Sequence, residues 1–306
     1  MKNNYFPYAF FEGKIVPTEE AKVSIMTNAL QYGTGVFGGI RCYLSDDKKS
    51  ATIFRLGDHY LRLLKALNIL NKSIKYSHQN LVNITMDLTR KNNPKTDAYL
   101  RPIAYAADYG LSPDLSQSRF EFAAYMIPLG EYLPISKGLK LMISSWIRIN
   151  DNQIPSRAKV TGGYVNSALA RADAVRHGYD DAIMLTMDGH ISEGSAANFF
   201  IVREGVLITP SKNSDVLEGI TRKTIITLAH DLSIPIEERP IDRTEVYSAD
   251  EAFLTGTGAQ VAWIKEVDGR QISDSKMGPI TERIQKLFFA IVRGKEKKYS
   301  KWLTKV

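Results

Sequence analysis

Apolar residues flank Glu12-Gly13 on both sides from Ala9 to Val16, which predicts a hairpin turning at that pair. Thr52 to Arg55 reads as a short strand. After it, Asp58 is placed to cap a helix whose apolar positions include Leu61, Leu64 and Leu67. Ala98 to Tyr105 and Phe120 to Ile127 read as further strands, so this half alternates helix and strand. Pro128 to Gly138 then holds two prolines and two glycines and is the strongest linker signal in the chain.

Beyond it, Leu139 to Trp146 reads as a strand and Asn150 to Pro155 as a loop. A helix is expected from Tyr164 to His177, stopped by Gly178. Ala182 to Met187 is strand-like, Asp188-Gly189 marks a tight turn, and His190 to Glu193 forms the returning strand. Asn198 to Val202 pairs with Val206 to Thr209 around Glu204-Gly205. Helices follow from Thr221 to Leu232 and from Pro279 to about Gly294. Antiparallel hairpins mixed with helices predict an α+β fold rather than a doubly wound parallel sheet. The expected organisation is a smaller α/β domain over 1–128, an interdomain linker over 129–138 and a larger cofactor-binding domain over 139–306.

Composition narrows the class. The chain has 306 residues, 44% hydrophobic and 24% charged, within the range of a globular protein able to bury a full core. Cys42 is the single cysteine, so no internal disulfide forms, which fits a reducing compartment. The opening residues Met1 to Tyr8 lack the apolar stretch of a signal peptide, and no apolar run approaches the roughly 20 residues of a membrane span. A cytoplasmic protein without membrane association is expected. The formal charge is +7, from 40 Lys and Arg against 33 Asp and Glu. The basic residues are interspersed with acids except for the cluster from Arg293 to Lys305, which reads as a solvated face, so nucleic acid is not an expected partner. No metal site is expected.

Gly33, Gly35 and Gly38 match G-x-G-x-x-G, with Asp58 twenty residues further on, the spacing of a dinucleotide-binding site. Such a motif opens a helix, whereas Ile40 to Tyr43 after these glycines looks like a strand. The better reading is a turn that lets another group approach the backbone closely.

Six segments, in order, carry a family resemblance. They are Tyr32 to Arg41; Ser144 to Arg148 with Ile154-Pro155 and Ala158-Lys159; Arg176 to Tyr179; Ile191 to Gly194 with Asn198-Phe199; Leu217 to Arg222; and Phe253 to Thr257. Each is weak alone. Together they resemble the branched-chain amino-acid aminotransferases, fold-type-IV enzymes that use pyridoxal 5′-phosphate, over nearly the whole chain.

The resemblance implies a two-domain fold-type-IV architecture and a set of roles. Lys159 is to bond the cofactor aldehyde and act as the catalytic base, which requires a site that disfavours its ammonium form. Glu193 is to pair with the pyridine nitrogen and keep the ring protonated. The phosphate is to meet Gly219, Ile220 and Thr221 at a helix N-terminus, Gly256 and Thr257 in a second turn, and Arg62. Tyr164 is to hydrogen-bond the phenolic oxygen. The substrate pocket is to use Tyr32, Phe37, Gly39, Arg41, Tyr99 and Arg101, with Thr257, Gly258 and Ala259 offering backbone groups to the α-carboxylate. Arg101 is to meet the second carboxylate of glutamate.

The implied reaction moves an amino group between branched-chain L-amino acids and 2-oxoglutarate. It implies a homodimer or higher homo-oligomer, with a residue such as Tyr32 entering the partner's site. Many relatives carry an acidic residue where this chain has Gly38 and a tryptophan where it has Leu129. These departures bear on substrate choice, and keep open a D-amino-acid or R-amine transaminase of the same fold. A non-catalytic ligand-binding protein on this scaffold would have lost Lys159, Glu193 or the phosphate-loop residues, and none is lost.

Overall fold

The computed structural model describes residues 4–45 and 50–306. The first three residues of the N-terminal segment read for a signal peptide lie outside them. Helices are α1 (Asn28–Tyr32), α2 (Leu56–Ile69), α3 (His78–Asn92), α4 (Tyr164–Arg176), α5 (Ile220–Asp231) and α6 (Pro279–Val292). The chain divides into two compact units. One takes the chain up to Gly130, Ala158–Gly162 and Ile291–Val306; the other takes Glu131–Arg157 and Gly163–Ala290. This grouping differs from contiguous domains over 1–128 and 139–306. Residues 158–162 and the C-terminal segment join the first unit because their hydrogen bonds go there, as shown next.

In the first unit, the strands run in the order Leu303–Lys305, Ala51–Phe54, Ile40–Leu44, Ala98–Ala106, Phe120–Pro128, Tyr8–Phe11 and Lys14–Pro17, with Gly35–Phe37 also on Ala98–Ala106. The N-terminal hairpin closes with Phe11 opposite Lys14, and both turn residues have positive φ (Glu12 at 48°, Gly13 at 86°), as a two-residue hairpin turn requires. Burial alternates strictly along Ala98–Ala106. One face sends Leu100 and Ala104 into the core, and the other carries half-buried Tyr99 and Arg101.

Helix α2 packs into that core through Leu56, Tyr60, Leu63 and Leu67, where Tyr60 meets Phe122 edge-on. Leu61, expected on the apolar face, is 48% exposed. Nor is Asp58 the cap. Arg55 occupies that position in the left-handed region (φ 51°), and Asp58 in the first turn takes its guanidinium at 2.5 Å. A negative charge there is favoured by the helix dipole and by the fixed cation.

The segment 158–162 lies along Gly33–Phe37. Phe37 N donates to Lys159 O (3.3 Å), Thr161 N to Gly35 O (2.8 Å) and Gly162 N to Gly33 O (3.0 Å). A β-carbon on Gly33 would fall 2.6 Å from Gly162 Cα. The glycine motif therefore serves close approach of two backbones, and Ile40–Leu44 after it is a strand.

The second unit holds a mixed sheet in the order Ile191–Gly194, Asp181–Leu185, Leu139–Ile143, Gln260–Val267, Glu251–Gly256, Asn198–Arg203, Val206–Thr209 and Ile236–Glu238. Most pairings are antiparallel. Leu139–Ile143 is parallel to Asp181–Leu185, with α4 as the crossover, and Val206–Thr209 is parallel to Ile236–Glu238, with α5 as the crossover. The α+β expectation holds. The core collects Leu139, Leu141, Ile183, Phe199, Ile201, Leu254 and Ile264. The strand beginning at Leu139 ends at Ile143, short of Trp146, which is 42% exposed. Among the described residues no helix is long and apolar enough to cross a membrane.

Candidate active site

Lys159 has backbone φ 50°, in the left-handed region that costs a residue with a β-carbon roughly 1–2 kcal/mol. The hydrogen bonds of 158–162 to Gly33–Phe37 hold it there. Its Nζ stands 5.0 Å from the centre of the Phe37 ring. The Arg101 guanidinium lies over the same ring at 4.6 Å and over Tyr99 at 5.2 Å, and Arg101 Nη2 donates to Tyr99 Oη at 3.2 Å. A β-carbon on Gly39 would run into that hydroxyl, so the bare Gly39 backbone is what admits Tyr99. Lys159, Phe37, Gly39, Tyr99 and Arg101 thus form one cluster within the first unit.

Arg41 and Tyr32 are differently engaged. Arg41 is 2% exposed and donates through Nη2 to the carbonyls of Leu129 (2.7 Å) and Gly130. Its guanidinium holds the 129–130 backbone. Tyr32 ends α1, is partly exposed, and donates to Leu111 O at 2.8 Å.

Arg62 is half-buried on α2, one turn after His59. His59 is buried, and its Nδ1 has no hydrogen-bond partner among the described residues. Burial, and then the charges of Arg62, Arg55 and Lys159, hold its pKa well below the ordinary imidazole value. A neutral imidazole thus sits among three cations, in surroundings that favour an anionic ligand.

In the second unit, Glu193 is 3% exposed on the strand Ile191–Gly194. Its Oε1 takes Arg148 Nη2 at 2.8 Å, and its Oε2 takes Asn198 Nδ2 at 2.8 Å and Leu217 N at 3.2 Å. Asn198 Nδ2 also donates to Leu217 O at 2.8 Å. Arg148 Nη1 donates to Ser167 Oγ on α4 at 3.2 Å, the helix that Tyr164 opens.

The same unit presents two turns. Gly219 caps α5 in extended conformation (φ −66°, ψ 137°) with no side-chain cap. The first-turn N–H groups, at Ile220 and buried Thr221, therefore meet no capping side chain and suit an anion. The second turn, Gly256 to Ala259, joins the strands Glu251–Gly256 and Gln260–Val267. It is held by Thr255 Oγ1 donating to Gln260 O at 2.7 Å and by Gly258 packing on the Tyr132 ring.

These donors fit pyridoxal 5′-phosphate chemically: an amine for an aldehyde, a buried carboxylate for a ring nitrogen, uncapped backbone N–H groups and an arginine for a phosphate. The model of the amino-transferase class IV family matches residues 35–267. The chain belongs to that family.

Among similar proteins, a probable branched-chain-amino-acid aminotransferase of Aquifex aeolicus is 49% identical over 100% of this chain and 99% of its own length. The crystal structure of the branched-chain aminotransferase of Thermoproteus uzoniensis with norvaline superposes with a TM-score of 0.94 at 42% identity, covering 98% of this chain and 99% of that one. The Thermobaculum terrenum enzyme, solved in its pyridoxal-phosphate form, superposes at 0.94 with 36% identity, covering 99% of each.

For a class IV aminotransferase, the residues that sequence reasoning left out are instructive. His59 carried no signal beyond being a polar residue on a helix. Arg148 and Asn198 were inside resembling segments, but nothing in their spacing from Glu193 showed that both would bond its carboxylate. Local periodicity says nothing of partners 45 positions apart, as Arg148 and Glu193 are.

Proposed function

We propose that this class IV aminotransferase moves the amino group between branched-chain L-amino acids and 2-oxoglutarate, using pyridoxal 5′-phosphate held through Lys159. The observation that carries the reading is Lys159 itself, a lysine in a left-handed backbone conformation, braced by three backbone hydrogen bonds of its own segment and set over Phe37 beside Tyr99 and Arg101. When bound, the cofactor supplies an electrophilic aldehyde carbon and a ring that accepts the electrons of the substrate Cα–H bond.

The chain's own groups do the rest. Lys159 Nζ would hold the cofactor through its aldehyde carbon and, once free of it, would take the substrate Cα proton as base and give it back as acid. Glu193 would pair as a carboxylate with the protonated ring nitrogen. Tyr164 would hydrogen-bond the phenolic oxygen. Arg62, Gly219, Ile220, Thr221, Gly256 and Thr257 would meet the phosphate.

Phe37, Tyr32 and Tyr99 give the side-chain pocket aromatic walls, and Gly39 keeps the floor clear for Tyr99. Thr257, Gly258 and Ala259 offer backbone groups to the α-carboxylate, and Arg101 meets the second carboxylate of glutamate. Arg41 contributes by fixing the Leu129–Gly130 backbone.

The chain works as a homodimer or higher homo-oligomer in the cytoplasm. Val23, Ile25, Met26, Leu30 and Leu111 are large apolar side chains left exposed in the first unit, and exposed apolar surface of this kind supports self-association.

A substrate panel tests the function: L-leucine, L-isoleucine and L-valine each with 2-oxoglutarate, against D-alanine and an R-amine. Comparable turnover of the three aliphatic donors is expected. Far faster reaction of D-alanine or the R-amine sinks the branched-chain reading and leaves the family untouched.

A further inference from the structure

The carboxylate of Glu193 and the guanidinium of Arg148 form an ion pair at 2.8 Å in which both residues are buried, at 3% and 8% exposure. A buried carboxylate without a cation favours its protonated, neutral form; a cation in contact favours the charged one. Arg148 is built to stay where it is. Its Nη1 donates to Ser167 Oγ at 3.2 Å and its Nε to Asp215 O at 3.5 Å. Asp215, the other nearby acid, is itself occupied: its carboxylate accepts from Asp151 N at 3.0 Å and Asn150 Nδ2 at 3.4 Å. The arginine's charge is therefore directed at Glu193.

We propose that Arg148 is a positioning residue that keeps Glu193 ionised, and thereby decides whether the proton between Glu193 and the cofactor's ring nitrogen rests on the ring. The inference rests on the reading of Glu193 given above. A proton shared by two sites goes to the more basic one. A cation bonded to the carboxylate lowers its basicity and leaves the proton on the nitrogen, where it makes the ring an electron acceptor.

Arg148 also links the elements. Through Ser167 it ties Glu193 to α4, which begins at Tyr164. Through Asn198 the same carboxylate is tied to Leu217, two residues before the turn that opens α5 at Gly219. A brace alone would need these hydrogen bonds but no charge, and that difference makes the two roles separable.

The experiment uses the enzyme loaded with cofactor labelled with ¹⁵N in its ring, and reads the ¹⁵N resonance at neutral pH in wild type, Arg148→Gln and Arg148→Lys. Glutamine keeps hydrogen-bonding capacity and drops the charge; lysine keeps the charge and loses the forked geometry. In Arg148→Gln the resonance is expected to move from the position of a protonated pyridine toward that of a neutral one. In Arg148→Lys it is expected to stay at the wild-type position.

A wild-type resonance in Arg148→Gln, whatever happens to its thermal stability, overturns the proposal and leaves Arg148 a brace. Should Arg148→Gln fail to fold, Arg148→Lys decides: a ring nitrogen that loses its proton although the cation is retained also overturns it, and a retained proton supports it. If wild type and Glu193→Gln give the same resonance, the assignment of Glu193 has failed instead, which separates the two errors.

Discussion

The side-chain amide of Asn198 occupies the space that a β-carbon on Gly219 would need. That amide is held by its bonds to Glu193 Oε2 and Leu217 O, both at 2.8 Å, so it has nowhere to retreat without giving up one of them. The absence of a side chain at Gly219 and the orientation of the Glu193 carboxylate are thus one structural fact.

It follows that Gly219→Ala should disturb two cofactor contacts at once. We expect cofactor affinity to fall at least tenfold, about 1.4 kcal/mol, in an equilibrium titration. Wild-type affinity would show that the 217–221 turn can shift at no cost and would refute the coupling.

Lys159→Ala should abolish transamination and leave the fold intact. Alanine at φ 50° bears the same left-handed strain as lysine, so the backbone is no worse off. The ring contact with Phe37 that goes with the side chain is worth about 0.5–1 kcal/mol in the cofactor-free protein. Turnover near wild type with added cofactor would remove Lys159 from its role.

Glu193→Gln replaces a charge with a neutral amide of the same shape. The activation free energy with L-leucine should rise by about 2.7–4 kcal/mol, roughly a hundred- to a thousandfold in rate, while much cofactor binding remains. An unchanged single-turnover rate contradicts the assignment.

His59 should make the cofactor-free protein sensitive to acid. Burial, with Arg62, Arg55 and Lys159 nearby, lowers its pKa in the folded state well below the ordinary imidazole value of 6.5. The unfolded chain then binds the proton more readily, so the stability contribution is complete above that value and is lost as pH falls below it. The slope for one proton is at most about 1.4 kcal/mol per pH unit. Denaturant titrations at a series of pH values should show a shallower acid limb for His59→Gln than for wild type; parallel limbs refute the claim.

Arg101→Leu should harm the half-reaction with L-glutamate far more than that with L-leucine. A second carboxylate cannot enter an aromatic pocket unpaired, whereas aliphatic donors differing by a methylene are separated by only about 1–3 kcal/mol. Single-turnover measurements with each amino acid test this. Equal losses with both would place Arg101 at the α-carboxylate.

Much of this was readable from residue order alone. The hairpin at Glu12-Gly13, the strand face shared by Tyr99 and Arg101, and the stop of α4 near Gly178 depend on periods of two and 3.6 residues and on backbone freedom at glycine, which are local properties. The ordered segments around Lys159, Glu193 and Gly219 named the family and the cofactor chemistry. Where the prediction went astray, a longer-range partner had prevailed: the buried stripe of α2 runs through Leu56, Tyr60, Leu63 and Leu67 because the first sheet lies on that side, and Asp58 pairs with Arg55 instead of capping.

Tertiary structure alone decided how the chain is shared between its units and which side chains serve which group. Residues 158–162 leave the unit of their sequence neighbours because their backbone bonds go to Gly33–Phe37, and Leu303–Lys305 returns to Ala51–Phe54 across the length of the chain. Arg41 spends its guanidinium on two carbonyls, His59 is held neutral by burial and then by nearby cations, and Arg148 and Asn198 converge on one carboxylate. The reason is physical: residue type and spacing fix what a side chain can do, but its charge state and its partner depend on burial and neighbours that only the folded chain brings together.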